Sequence, residues 1–286
     1  MNEAVAKGAR VLALCADDFG MSPGVSQVIA SLAHAGRINA TSCLTNAAHW
    51  RTSAPLLSDL SHSVDVGLHF NLSDGEPLSA ELRKLWPRLP ELPRLIARAH
   101  LRALPLTAIA AEFAAQHAAF VDAIGRPPAF IDGHQHVHHL PGIRDIVLAA
   151  VARSPSTTAV RNTGLVHGPG FGVKRALIAG TGGRALKRDL VERGVPHNPM
   201  LIGVYDFVPG SYRRWMKGWL AGVPAEGALL FCHPGASDGG DVIDAIANAR
   251  GPEADYLSSN AFTDDLLEAR LSIARVWRRA RQAQST

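Results

Sequence analysis

The sequence predicts an α/β fold: a distorted or incomplete (β/α) barrel of about seven parallel strands. Three observations carry this. Short apolar runs alternate with longer segments of helical period along the 286 residues, and repeated strand–helix–strand order implies parallel strands with crossover helices. Hydrophobic residues make up 47% of the chain and charged residues 19%, enough apolar matter for one large core and too little charge for disorder. Acids and imidazoles fall at the carboxyl ends of several strand candidates, where parallel α/β folds gather their loops. A barrel brings such ends around one axis and suits this scatter better than an open sheet.

The elements follow in order. A strand over 11–16 leads to a helix that Ser22 caps and Pro23 starts. Val25, Val28, Ile29 and Leu32 give that helix one apolar face, and Gly36 ends it. Strands over 38–45 and 64–70 come next. Residues 86–106, rich in Pro, Leu and Arg, read as an insertion after the third strand, either a lid or ordinary surface loop and helix. Helical period over 107–124, 142–153, 173–193, 211–221 and 264–281 alternates with strand candidates at 129–132, 159–162, 200–204 and 228–232. With no evident linker or internal repeat, residues 1–286 read as one catalytic domain.

The net charge of +4 is a mild basic excess without a Lys/Arg block, so a nucleic-acid partner is not expected. Cys15, Cys43 and Cys232 are odd in number, far apart and each inside a strand-like run, which predicts buried free thiols in a reducing compartment. The polar start, followed by an apolar run too short for a signal peptide or a spanning helix, predicts a cytoplasmic protein without a transmembrane segment. In the helix over 211–221, Trp215 and Trp219 stand four apart among Arg213, Arg214 and Lys217. This pattern packs the tryptophans inward with the cations wet; the competing reading is contact with a glycolipid or membrane surface.

Asp17 and Asp18 close the first apolar run. Adjacent acids repel and resist burial, so a cation, proton or substrate is expected to offset them. The competing reading is a charged pair ahead of the helix start at Ser22. His69 ends the third strand, and Asp132 is followed by His134, His136, His138 and His139. Asp18, His69 and His134 would make a two-His, one-carboxylate set with positions left for water and substrate. An ion so held lowers the pKa of water and polarises a carbonyl. One acid of the pair can bind the metal while its neighbour stays a base, and spacing does not assign the two roles. If 132–139 is extended, His134, His136 and His138 share one side, one imidazole for the metal and another for substrate or for orienting a ligand. His233, between an apolar strand and Pro234-Gly235, can donate a proton to a leaving amine. There is no Walker loop and no Gly-x-Ser-x-Gly elbow, and Gly180-Thr181-Gly182-Gly183 does not follow a strand.

Four stretches carry a resemblance: Ala16-Asp17-Asp18-Phe19-Gly20-Met21-Ser22; Gly67-Leu68-His69-Phe70-Asn71-Leu72 with Gly75-Glu76-Pro77-Leu78; Asp132-Gly133-His134-Gln135-His136-Val137-His138; and Cys232-His233-Pro234-Gly235. Together they resemble the YdjC-like carbohydrate deacetylases, which include chito-oligosaccharide and hopanoid-associated deacetylases. The resemblance implies a distorted barrel related to the polysaccharide deacetylases. It also implies metal-dependent hydrolysis of the N-acetyl group of an amino-sugar-containing substrate, an oligosaccharide or a glycolipid, with one Mg²⁺ or Zn²⁺ ion. On this chain it makes Asp18, His69 and His134 the metal ligands, Asp17 the general base and His233 the general acid. It makes Arg161 a residue that orients Asp17 or contacts substrate, with His136 and His138 as further substrate contacts. Gln135 stands where some relatives have a further His, which leaves the secondary histidine network open. The resemblance permits a homodimer. Two other functions compete: a metal-dependent hydrolase of another amide, ester or phosphoester, and a sugar-binding protein without activity. Retention of acid, base and all three ligands argues against the second.

Overall fold

The computed structural model describes residues 10–60, 63–154, 158–208, 210, 212–236 and 244–277. Within them the chain runs β1 (Arg10–Phe19), α1 (Pro23–His34), β2 (Ala40–Cys43), α2 (Trp50–Ser53), a 3₁₀ turn (Ala54–Leu60), β3 (Asp65–Phe70), α3 (Ala80–Leu85), α4 (Leu92–His100), α5 (Leu106–Ile124) and β4 (Phe130–Gly133). A second 3₁₀ segment (His134–His139) leads to α6 (Ile143–Arg153), β5 (Ala159–Val160), α7 (Gly172–Ile178), a π turn (Ala179–Gly183), α8 (Arg184–Glu192) and β6 (Leu201–Ile202). Then come α9 (Tyr212–Ala221), β7 (Ala228–Cys232), α10 (Ala247–Ser258), α11 (Asn260–Glu268) and β8 (Leu271–Ile273).

The sheet order is β5-β4-β3-β2-β1-β7-β6, every described pairing parallel, with β8 paired to the first residues of β1. The sheet curls into the expected incomplete barrel. Between its β5 and β6 edges run isolated bridges, Val160 to His197 and Val166 to Leu201. Strands β2, β3, β4 and β7 are buried along their whole length, as a parallel sheet covered by helices requires.

Local chemistry explains the helices. Ser22 Oγ accepts the Val25 N–H, Pro23 opens α1, and Val25, Ile29 and Leu32 face the core. The α5 stripe of Ile109, Phe113, Gln116 and Phe120 is buried, and Gly125 ends the helix in the left-handed region. All three cysteines are buried and free. Among the described residues no helix is long and apolar enough to cross a membrane.

Four segments depart from expectation. The helix read over 173–193 is broken at 179–183, because a Cβ on Gly182 would lie 2.0 Å from the His139 carbonyl oxygen and one on Gly183 2.3 Å from that of Thr163. Only glycine allows this approach, so the Gly-rich stretch is a packing joint. The last helix ends at Glu268; Arg270 turns left-handed and residues 271–273 pair with β1, while 278–281 lie outside the described residues. Helix α10 was not expected at all. Residues 86–106 contain α4, whose Leu95 and Ala99 are buried. Of the segment 211–221, Ser211 lies outside the described residues. The rest forms α9, which buries Tyr212, Met216 and Trp219 and ties Arg213 to Asp265 and Lys217 to Glu268, the inward-packing reading.

Candidate metal centre and its cavity

Strand β1 pairs with β2 through Ala16–Thr41 and then Phe19–Cys43, so Asp17 and Asp18 together oppose Ser42. This is a β-bulge, and Asp18 takes a positive φ of 71° within it. A regular strand would send neighbouring side chains to opposite faces. The bulge lets both acids line one cavity of about 970 Å³ while remaining almost fully buried.

Asp18 meets the two expected histidines there. Its Oδ1 lies 3.2 Å from His134 Nδ1 and 3.6 Å from His69 Nε2. One donor atom from each of the three residues falls within 4.8 Å of the other two. Register places His69 beside Asp132 on the neighbouring strand. His69 Nδ1 faces Asp132 Oδ1 at 2.7 Å, which turns Nε2 toward Asp18. A histidine held by a carboxylate on its far nitrogen is the usual support of a metal ligand, so this donor set fits a divalent ion. Burial alone would raise the Asp18 carboxyl, but Arg250 and His134 outweigh it and hold it well below the usual range. Burial likewise works against a charged His69, and Asp132 more than offsets it.

A second group, Cys15, Asp17 and Asp132, also clusters within 4.8 Å. A guanidinium fills it. Arg161 Nη2 lies 2.6 Å from Asp17 Oδ1, 2.5 Å from Asp132 Oδ2 and 3.2 Å from Cys15 Sγ, and Nη1 donates to Asp17 Oδ2 at 2.7 Å. Burial is overcome at Asp132 by Arg161 and then His69, which bring its carboxyl down to about 2. Ser42 also donates to Asp132. Three carboxylates (Asp17, Asp18, Asp132) thus face two guanidiniums (Arg161, Arg250). The excess negative charge is one that a cation would offset.

A model of the YdjC-like family matches residues 11–268. The chain belongs to the YdjC-like family. Among curated YdjC-like relatives, the chitooligosaccharide deacetylase of Klebsiella pneumoniae (strain 342) is 40% identical over 148 residues, 50% of this chain and 56% of that protein. The chitooligosaccharide deacetylase of Proteus mirabilis (strain HI4320) is 38% identical over 146 residues, 49% and 54%. The chain thus spans about half the length of these curated relatives. A solved structure from Enterococcus faecalis V583, provisionally described as a cellobiose-phosphate cleavage protein, superposes with a TM-score of 0.71 over 94% of this chain and 98% of that one at 19% identity, which shows a shared fold.

The histidine run of this YdjC-like chain is not extended. Gln135 and His136 are left-handed, with φ of 51° and 63°, and 134–139 winds into a tight turn, so the histidines fan out instead of sharing a side. His134 reaches Asp18, and His136 lines the cavity with its ring edge-on to Phe231. His138 is fully buried, its Nε2 2.9 Å from the Arg161 carbonyl oxygen, and burial pushes its ring down to about 4. His139 is held between Thr163 and Thr181. Neither His138 nor Arg161 lines the cavity. Arg161 stands behind Asp17, which favours orientation of that acid over substrate contact; His138 in turn fixes the Arg161 backbone.

His233 closes β7 on the opposite side, flanked by the Phe207 and Phe231 rings. Part of its surface opens to the cavity, yet enclosure pushes its pKa down to about 4 against the pull of Asp18 and Asp17. Sequence reasoning missed two neighbours. Arg250, on α10, donates to Asp18 Oδ2 at 2.7 Å, to Asp244 at 2.5 Å and to the His233 carbonyl at 3.3 Å. It leaves Asp18 one oxygen, Oδ1, for an ion. Glu253, also on α10, accepts the His233 backbone N–H at 2.6 Å and the Tyr205 hydroxyl. Burial raises its carboxyl to about 7. No local motif announces either residue. Asp132 was read only as the acid beside the histidine run; its bond to His69 comes from the pairing of β3 with β4.

Proposed function

We propose that this chain is a metal-dependent carbohydrate deacetylase that hydrolyses the N-acetyl group of an amino sugar. The observation that carries the reading is the donor set Asp18, His69 and His134 with a second, bulge-presented acid, Asp17, on the same cavity wall. The half-length match to chitooligosaccharide deacetylases supports an acetylated oligosaccharide as substrate.

Asp18 Oδ1, His69 Nε2 and a ring nitrogen of His134 would hold the ion. When bound, it acidifies water and polarises the acetamide carbonyl; Mg²⁺ and Zn²⁺ both suit a mixed carboxylate and imidazole set. Asp17 accepts the proton of the attacking water as the new C–O bond forms. Oδ1 accepts from Arg161 Nη2 and from the Cys15 thiol, whereas Oδ2 accepts from Arg161 Nη1 alone and keeps a lone pair for that proton. The two bonds from Arg161 fix the plane of the carboxylate, so its direction of attack is set before substrate arrives. As the C–N bond breaks, the nitrogen needs a proton. His233 is the carrier: with a pKa near 4 the ring enters neutral at pH 7, receives the proton collected at Asp17, and passes it readily to an amine. Acetate and the free amine result. Phe207 and Phe231 shield this transfer from bulk water.

The test is acetate release from N-acetylglucosamine oligomers by metal-stripped protein, with and without added Mg²⁺ or Zn²⁺. Metal-dependent acetate supports the reading, and Asp17→Asn should then lower turnover about 10²–10⁴-fold while metal binding persists. No acetate with either metal from well-folded protein overturns the oligosaccharide reading. Release from an N-acetylglucosaminyl lipid alone would move the substrate to a glycolipid.

A further inference from the structure

The cavity over Asp18 does not stop at its own wall. Ser73, Asp74 and Glu91 line it and also line an outer groove of about 1100 Å³. We propose that this groove is a carbohydrate subsite that holds the sugars next to the acetamido residue, with Trp86 as the platform for a ring face and Arg88, Arg94 and Arg98 as donors to its hydroxyls. The inference rests on the deacetylase reading above.

Continuity is the first argument. A substrate whose acetamide reaches Asp18 and whose chain leaves past Ser73 and Asp74 enters the groove directly. The joint between the two spaces is firmly built. Asn71 Oδ1 accepts the backbone N–H groups of Ser73 and Asp74, Asn71 Nδ2 donates to the Asp74 carbonyl at 2.8 Å, and Leu89 N–H donates to the Gly75 carbonyl at 2.9 Å. This last bond joins two parts of the groove wall, next to Asp74, which lines both spaces.

Chemistry is the second. The inner cavity is largely apolar away from the acids, with Leu92, Ile96, Leu177, Ile178 and Val204 on its wall and Lys174 and Thr181 among them as donors. The groove sets three arginines, Arg88, Arg94 and Arg98, around an aromatic ring. Trp86 packs against the core yet stays half-buried, and the Arg98 guanidinium sits over its ring, 5.6 Å from the centroid. The indole is thus held in one orientation, a prepaid ordering cost for anything that stacks on it. Arg88 and Arg94 are exposed and make no ion pair among the described residues, so their donors are free for hydroxyls. An apolar ring face beside planar multi-donor groups is what a pyranose presents a need for: its axial C–H face is apolar and its rim is hydroxylated. The groove has room for more than one ring.

The test compares N-acetylglucosamine with its di- and trisaccharide on the full chain loaded with metal. KM and kcat are read from acetate release, and Kd from calorimetry in the Asp17→Asn background. KM and Kd should fall at least about tenfold from monomer to trisaccharide, and Trp86→Ala should shrink that ratio below about threefold. Trp86→Phe, which keeps a flat face, should preserve most of it. Arg88→Ala with Arg94→Ala should shrink it too, and this exposed pair decides the matter if Trp86→Ala fails to fold. The subsite is overturned if wild type shows no length preference, or if the preference survives both the Trp86→Ala and the double arginine variants while acetate is still released. If neither monomer nor oligomer binds or releases acetate, the deacetylase reading falls and the subsite with it.

Discussion

Replacing Arg161 by Met tests the heart of the buried charge arrangement. The side chain is completely buried and bridges Asp17 and Asp132. Without the guanidinium, two carboxylates with oxygens within 4.8 Å of each other face one another. At an effective dielectric near 20 their repulsion is roughly 3 kcal/mol. Asp132 also loses the partner that holds it at about 2 against an ordinary 3.8, a further contribution of about 2 kcal/mol at neutral pH. These overlap, and together match the roughly 3–5 kcal/mol typical of breaking a buried ion pair. For a protein of this size the melting temperature should drop by roughly 10 °C at pH 7. The pH dependence has a definite sign. In wild type the lowered Asp132 contributes stability above the unfolded pKa, lost as pH falls through about 2. In Arg161→Met burial at Asp132 is no longer opposed by the guanidinium, so the folded variant favours the protonated form of that acid and its deficit narrows as pH falls toward 5. Adding Asp132→Asn should recover part of the loss. Differential scanning calorimetry of the single and double variants from pH 5 to 8 measures all three effects. A shift under about 2 °C, or a deficit independent of pH, would refute the reasoning.

Asp132→Ala in the otherwise native chain removes the acceptor that fixes His69, so affinity for Zn²⁺ in a chelator competition should fall about 10–100-fold; unchanged affinity would remove His69 from the ligand set. Gly182→Ala drives a methyl group into the His139 carbonyl and should cost at least about 1–3 kcal/mol in urea unfolding; a neutral result would mean the turn at 179–183 packs differently. Glu253, held near 7, stabilises the fold most below the unfolded glutamate range and loses that contribution as pH rises through 7. The stability of wild type relative to Glu253→Gln should therefore decline by about 2 kcal/mol between pH 5 and 8; a difference that stays flat or grows would contradict a raised Glu253.

Much of the barrel was readable because its strands are short apolar runs punctuated by turn residues, and helices such as α1 and α5 carry their own caps and stripes. The acids of β1 and the histidine near the end of β3 were readable for the same reason: they interrupt apolar runs. What was not readable depends on partners far along the chain. Helix α10 buries Ala249, Arg250, Glu253, Tyr256 and Leu257, a proper helical stripe, but two of its members are charged and find their partners on β1 and at the end of β7. A search for apolar period passes over it. The histidine run looked extended because alternation is the simplest reading of His-x-His-x-His; the left-handed Gln135 and His136 break that alternation, and no pattern of residue types records them. Strand β8 is three residues long and owes its form to the start of β1, which no local propensity records.

The bulge in β1 also separates what folds the protein from what the site requires. With one of its two acids deleted, Ala16, the remaining aspartate and Phe19 would fall into unbroken register against Thr41, Ser42 and Cys43. The barrel has no use for the extra residue; the cavity does. A lineage of this architecture can therefore gain or lose its second carboxylate by a single codon insertion or deletion, with the sheet around it left in step.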